Sequence, residues 1–250
     1  SYQKVAVQQA IGMVSSYRGA FVADVVGVGK SFVGAAVARY HYESERRRTL
    51  VLCPNALEPM WKAYNRRWHL NAEIVPFGRL RQRQGDGNAP GSVLDEDAAQ
   101  DCGFVLIDES HNFRYSDSQR YRAVSDYLLD GADRKVLLLT ATPYNKTYLD
   151  VYNQLKLFHA EETTRIPVEP RNIREYFKRV QAGERKLQDL LVHLLVRRTR
   201  WQLLRWYGYD AETHRPIDPH NFQPYLDEQR RAYLKFIDVA GNEDHKFFPH

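Results

Sequence analysis

The chain has 250 residues and carries 36 Lys and Arg against 31 Asp and Glu, a formal charge of +5 with a pI near 9.1. That length allows one large domain or one domain with an appendage, and 43% hydrophobic with 27% charged residues excludes a disordered or fibrous chain. No apolar run reaches the roughly 20 residues of a membrane-spanning helix, and the mildly basic balance permits a nucleic-acid partner without demanding one.

In chain order, residues 3–17 place Val7, Ala10, Ile11 and Val14 at helical spacing and predict an amphipathic opening helix. The run GAFVAD (19–24) reads as a short buried strand, and KSFVGAAVARYHY (30–42) as a helix rich in small residues. Between them lies ADVVGVGKSF (23–32). A phosphate-cradling loop reads G-x-x-x-x-G-K-[ST], and here Asp24 stands at the first glycine position. Strand, glycine loop, helix is nevertheless the context such a loop requires. Gly27 and Gly29 would let backbone N–H groups converge on phosphate oxygens, Lys30 would reach the β- and γ-phosphates, and the Ser31 hydroxyl would sit on Mg²⁺. The bland alternative is a chance Gly-Lys-Ser turn.

TLVLC (49–53), AEIVPF (72–77), FVLID (104–108) and KVLLLT (135–140) are short continuous apolar runs, as in a parallel sheet covered on both faces. Helical patterns at 56–68 and 119–129 alternate with them, which predicts an α/β, doubly wound domain over 1–158. The polar, glycine-rich stretch 79–101 reads as a surface loop. Cys53 and Cys102 form neither a CxxC nor a Cys/His cluster. They speak against a disulfide scaffold or structural zinc and for a reducing, cytoplasmic setting.

FVLIDESHNFR (104–114) puts Asp108 and Glu109 at the C-terminal end of a buried strand, where ligands bind in open α/β sheets. Asp108 suits a Mg²⁺ carboxylate and Glu109 a group that polarises an attacking water; a lone pair of solvated strand-end acids is the alternative. VLLLTATPYN (136–145) brings Thr140 and Thr142 to the end of another strand, with hydroxyls able to bond the neighbouring carboxylates. From residue 159 the composition shifts, and residues 165–206 hold eleven Lys and Arg against four Asp and Glu. Helical patterning runs through EYFKRV and LQDLLVHLLVRRTRWQLLRW, while 207–250 shows no clear periodicity. Tyr176, Phe177, Trp201 and Trp206 within this basic stretch either line a nucleic-acid groove or belong to a solvated amphipathic helix with Trp201 buried.

The loop, DESH and TATP together, each at a strand end and in this order, resemble the superfamily-2 helicases and translocases, and most closely the bacterial Swi/Snf-like ATPases. The resemblance makes the pattern D-x-x-G-x-G-K-[ST] the family's own form, so Asp24 belongs to the loop. It implies a RecA-like P-loop NTPase lobe over 1–158, with 159–250 as a basic, mainly helical extension toward a second lobe. It implies ATP and Mg²⁺ as cofactors, bound by Gln3 at the adenine, Asp24, Gly27, Gly29, Lys30, Ser31 and His111, with Ser31 and Asp108 on the metal. Lys30, Asp108 and Glu109 would be catalytic, and Thr140 and Thr142 would couple nucleotide state to a nucleic-acid face.

VLCPNALEPMWK (51–62) resembles the family's first DNA-strand motif, which points to Asn55. IVPFGRL (74–80) resembles the next, and LLVRRTR (194–200) the basic segment between lobes, which points to Arg197, Arg198 and Arg200. Double-stranded DNA, a second RecA-like lobe and an accessory domain or protein are the partners implied, in the bacterial cytoplasm. No Q-x-x-x-R-x-x-R pattern follows residue 206, so the arginine fingers that speed such reactions by about 10³–10⁵ are expected from elsewhere. ATP binding with slow turnover is then expected of this chain alone. A GTPase would need N-K-x-D, and NKTY (145–148) has Tyr148 in place of the aspartate. A non-hydrolysing nucleic-acid scaffold that retains the lobe stays open.

Overall fold

The computed structural model describes residues 2–24, 29–80, 93–130, 132–144, 147–227, 229–237, 239 and 242–247. The elements are α1 (Tyr2–Tyr17), β1 (Gly19–Val22), α2 (Lys30–Glu45), β2 (Arg48–Cys53), α3 (Glu58–Trp68), β3 (Ala72–Pro76), α4 (Asp97–Gln100), β4 (Cys102–Ile107), α5 (Gln119–Leu128) and β5 (Lys135–Leu139). There follow α6 (Leu149–Lys156), α7 (Ile173–Gln181), α8 (Leu187–Leu194), β6 (Leu195–Val196), α9 (Arg200–Tyr207), β7 (Gly208–Asp210), α10 (Gln223–Leu226), β8 (Ala232–Ile237) and β9 (Glu243–Phe247).

Six strands form one parallel sheet in the order β3-β2-β4-β5-β1-β6. The continuous apolar runs are explained by this topology, because helices cover both faces and every strand residue needs an apolar side chain. Leu50, Leu52, Val105 and Ile107 face one core layer, with α5, α6 and α7; Val51, Phe104, Leu106, Leu137 and Leu139 face the other, with α1, α2 and α3. Register brings the strand ends level: Val22 pairs with Leu139, Leu138 with Ile107, and Ile107 with Leu52. The loops after β1, β2, β4 and β5 therefore emerge along a single edge, where side chains from four separate stretches of sequence can meet.

This is the α/β fold that the alternation of strands and helices predicts, arranged as the resemblance implies. Three local expectations are corrected. Residues 93–100, read within a surface loop, form a 3-10 turn and α4, with Val93, Leu94 and Ala99 buried; eight residues are too few to show a helical period. The helix-like run LQDLLVHLLVRRTRWQLLRW is broken by Leu195–Val196, which pairs in parallel with Phe21 and Val22 of β1. In the tail, where no period is legible, β7, β8 and β9 make a three-stranded antiparallel sheet. Among the described residues no helix is long and apolar enough to cross a membrane.

A candidate phosphate site at the strand ends

The loop after β1 begins at Asp24, which is fully buried, and ends at Gly29. Gly29 has φ 91°, a left-handed conformation that glycine adopts without the steric cost a Cβ would add, and α2 starts at the next residue. No side chain caps α2, so its first-turn N–H groups point to the loop with the positive end of the helix dipole. Lys30 and Ser31 stand half-buried in this first turn. The Lys30 ammonium donates to the Asp24 main-chain carbonyl at 3.2 Å. Gly27 lies outside the described residues.

Asp108 follows β4 and is almost wholly buried. One carboxylate oxygen accepts the Trp61 indole N–H at 2.9 Å, and the other accepts the Glu109 backbone N–H at 2.9 Å. Burial raises the Asp108 pKa above the ordinary aspartate range; the two hydrogen bonds and the Lys30 charge oppose that rise. The register that levels β1 with β5 and β5 with β4 sets Lys30 and Asp108 along the same sheet edge. Glu109 adopts φ 49°, uncommon for a non-glycine residue, and opens a 3-10 turn over Ser110–Phe113. Its carboxylate lies 3.1 Å from His111 Nδ1, and both side chains keep about a third of their surface exposed. A buried acid fixed in place next to an accessible one is an arrangement in which one holds a cation and the other meets water.

Oxygen donors from Ser31 and Asp108 suit a hard cation such as Mg²⁺, which binds through one or two protein oxygens and completes its shell with water and phosphate. The described residues contain no cluster of three or more His, Cys, Asp or Glu able to cage a metal.

The remaining predicted residues sort by geometry. Gln3 is buried in the first turn of α1. Thr140 is fully buried, and its hydroxyl accepts the Thr142 N–H at 3.2 Å; the Thr142 hydroxyl accepts from Arg114 at 2.9 Å. Both threonines thus bond within their own loop and to an arginine, where bonds to the neighbouring carboxylates were expected. Asn55 accepts the Gly78 N–H at 2.9 Å and so joins the loops after β2 and β3.

Arg198, expected on nucleic acid, turns inward in the structure. All three of its side-chain nitrogens are engaged inward, Nε and Nη2 on the Asp24 carboxylate and Nη1 on the Tyr2 carbonyl, while the guanidinium also lies over the Tyr2 ring. Of the two alternatives left open for Tyr176 and Phe177, the structure takes packing: both are core residues, exposed by 1% and 2%. Trp201 and Trp206 are exposed, at 42% and 60%, and flank the Arg205 guanidinium. Arg197 lines an open groove of about 790 Å³ together with Thr142, Pro143, Tyr144, Arg185 and Lys186. For Arg200 the described feature is its backbone, which begins α9.

Three residues escaped the sequence reading: Trp61, Arg114 and Gln154. Trp61 and Arg114 sit inside motif stretches already singled out. Gln154 gave no local signal: it follows Asn153 and precedes Leu155 in the stretch that became α6.

The fold defines a RecA-like lobe in which Lys30 and Ser31 open α2 at the sheet edge that also carries Asp108 and Glu109. The chain belongs to the SNF2-related domain family, whose profile matches residues 91–233, more than half of its length. It is similar to a Sulfolobus solfataricus SWI2/SNF2 ATPase core solved in complex with dsDNA, with a TM-score of 0.53 and 17% identity over 80% of this chain and 44% of that one. It is also similar to a Sulfolobus solfataricus SWI2/SNF2 ATPase core domain, with a TM-score of 0.51 and 16% identity over 80% of this chain and 43% of that one. At these identities the likeness shows the fold alone, and the chain spans less than half the length of either protein. A search of curated proteins gave no match.

Proposed function

We propose that the chain is the first motor lobe of a DNA-dependent ATPase that couples ATP hydrolysis to movement on duplex DNA. Residues 1–158 form the ATP-binding lobe, and 159–250 a basic extension toward a second lobe. The single observation that carries this reading is the pairing of a buried, doubly hydrogen-bonded Asp108 with an accessible Glu109, on the sheet edge that also carries Lys30. Family membership supports the use of ATP, and the dsDNA held by one structural neighbour supports duplex DNA as the track.

In this reading Gly27, Gly29, Lys30 and the α2 N-terminus hold the phosphates, and Gln3 contacts the adenine. Ser31 and Asp108 hold Mg²⁺, which when bound screens phosphate charge and orients the γ-phosphoryl group. Lys30 leaves the Asp24 carbonyl for a phosphate oxygen, and Asp24 anchors the loop. Glu109 orients the attacking water, with His111 fixing its carboxylate, and Thr140 and Thr142 relay nucleotide state. Asn55, Arg197 and Arg200 contact the DNA backbone, in a sequence-independent and salt-sensitive way. Because catalysis here is positioning and charge stabilisation, this lobe alone binds ATP and turns it over slowly until arginines from a second lobe arrive. Two buried free thiols, Cys53 and Cys102, favour a cytoplasmic setting.

The test is the ATPase rate of the full-length protein with and without duplex DNA, beside Glu109→Gln. Stimulation by DNA that the substitution abolishes supports the motor. A rate indifferent to both DNA and Glu109 would overturn it in favour of a non-hydrolysing scaffold.

A further inference from the structure

The loops after β4 and β5 are joined by a side chain that belongs to neither. Gln154, in α6, is fully buried. Its Oε1 accepts the Ser110 hydroxyl at 2.8 Å, and its Nε2 donates to the Pro143 carbonyl at 3.0 Å and the Asp150 carbonyl at 2.8 Å. The amide orientation is fixed by chemistry: two carbonyls on one side demand the NH₂, since the reversed amide would set an oxygen against both. Each hydrogen of the NH₂ is used, and so is the oxygen. A second strap runs beside it. Arg114, at the far end of the 3-10 turn, donates to the Thr142 hydroxyl at 2.9 Å, and Asn153 donates to the Arg114 carbonyl.

The two ends of this bridge lie in functionally different places. Ser110 is the residue after Glu109, whose φ of 49° is held by the turn that Ser110 opens. Pro143 and Thr142 line the same groove as Arg185, Lys186 and Arg197. A polyanion entering that groove presses on the loop that contains Pro143. Any shift of Pro143 then either drags Gln154 and Ser110 with it or leaves a buried carbonyl without its donor, a costly alternative. The loop and the Glu109 turn therefore move together.

Building on the reading of the chain as a DNA-driven ATPase, we infer that Gln154 is a positioning residue that ties the Glu109 turn to the groove wall, so that occupancy of the groove sets the placement of Glu109. It touches neither nucleotide nor DNA and lies outside both loops it joins.

The test uses the full-length protein and three measurements: ATPase rate without DNA, ATPase rate at saturating duplex DNA, and affinity for a fluorescent ATP analogue. Two variants are compared with wild type. Gln154→Leu removes the whole bridge at similar volume, and Ser110→Ala removes one arm with the loss of a single oxygen, so it carries the test should the first variant fold poorly. The expected result is a DNA stimulation ratio lowered about fivefold or more, the lower end of ordinary coupling between sites. The DNA-free rate and the analogue affinity of Ser110→Ala stay near wild type, while its melting temperature falls modestly because the buried Gln154 Oε1 loses its donor. Unchanged stimulation in Ser110→Ala, or a proportional fall in all rates and in affinity, overturns the inference and leaves Gln154 a packing residue. A wild-type protein that DNA does not stimulate overturns the motor reading itself, and this inference with it.

Discussion

Cutting the Asp24–Arg198 pair from either side tests what holds the mouth of the phosphate loop. The Asp24 carboxylate is fully buried and the Arg198 side chain keeps 12% of its surface exposed, with bonds from Nε at 3.0 Å, from Nη2, and from the Arg198 backbone N–H at 2.9 Å. Removing one partner of a buried pair leaves the other charge without compensation and costs about 3–5 kcal/mol. The two cuts are not equivalent. Arg198→Met strands a carboxylate that has no path to water and keeps only one backbone donor, so the full range applies. Asp24→Ala strands a guanidinium that still holds the Tyr2 carbonyl and can lean toward solvent, so about 1–3 kcal/mol is expected.

The Asp24→Ala, Arg198→Met double variant buries no charge, and its loss should fall short of the sum of the singles by about 1–3 kcal/mol. Urea unfolding of the four proteins measures this cycle. The coupling should survive 1 M salt, which screens exposed pairs but reaches a buried one poorly. Additive losses, or a coupling that salt abolishes, would refute the claim that this pair is a buried clamp and return Arg198 to the nucleic-acid face.

Two further outcomes are expected. His41 is fully buried, stacked on Phe104 at 4.4 Å and 3.3 Å from the Glu45 carboxylate; burial lowers its pKa from 6.5, with Lys135 and Arg47 adding to the effect and Glu45 opposing it. The folded state therefore refuses a proton that the unfolded chain accepts below about pH 6.5, so stability is present above that value and is lost as pH falls through it. Melting curves from pH 7.5 to 5.5 should slope less for His41→Gln than for wild type, and equal slopes would count against the assignment. Trp61→Phe deletes the indole donor that orients Asp108 while keeping most of the ring volume. If Asp108 holds Mg²⁺, half-saturation of the ATPase by Mg²⁺ should shift upward about tenfold or more, as for other groups that orient metal ligands. An unchanged Mg²⁺ requirement would remove Asp108 from the metal.

The parallel sheet was legible because its strands are apolar without alternation, and the site because each motif sits where such a strand stops. What sequence could not give is pairing across distance. Nothing local to LLVRRTR distinguishes Arg197, which faces the groove, from Arg198, which turns inward to a carboxylate 174 positions earlier. Leu195 and Val196 continue a helical apolar pattern by composition; they become a strand because the edge of β1 offers unpaired backbone groups there. Tyr176 and Phe177 look like a stacking platform among basic residues, yet α7 buries that face against Tyr148 and Tyr152. In each case the outcome depends on a partner that spacing does not encode.

These pairings also explain why an aspartate can stand where a phosphate loop begins with glycine. A glycine there contributes backbone freedom alone. Asp24 contributes two attachments: its carbonyl takes the Lys30 ammonium, and its carboxylate takes Arg198, which reaches on to the Tyr2 carbonyl. The first position of the loop is thereby fixed to the start of α1, next to Gln3, and to the segment that leaves the sheet after β6, where Ala23 also donates to the Val196 carbonyl at 2.8 Å. In the proposed site, a phosphate that drew Lys30 away from the Asp24 carbonyl would act on a residue already bound to the chain's exit from the sheet. Aspartate in place of glycine would then make the loop's first residue a joint between a bound nucleotide and the segment that follows β6.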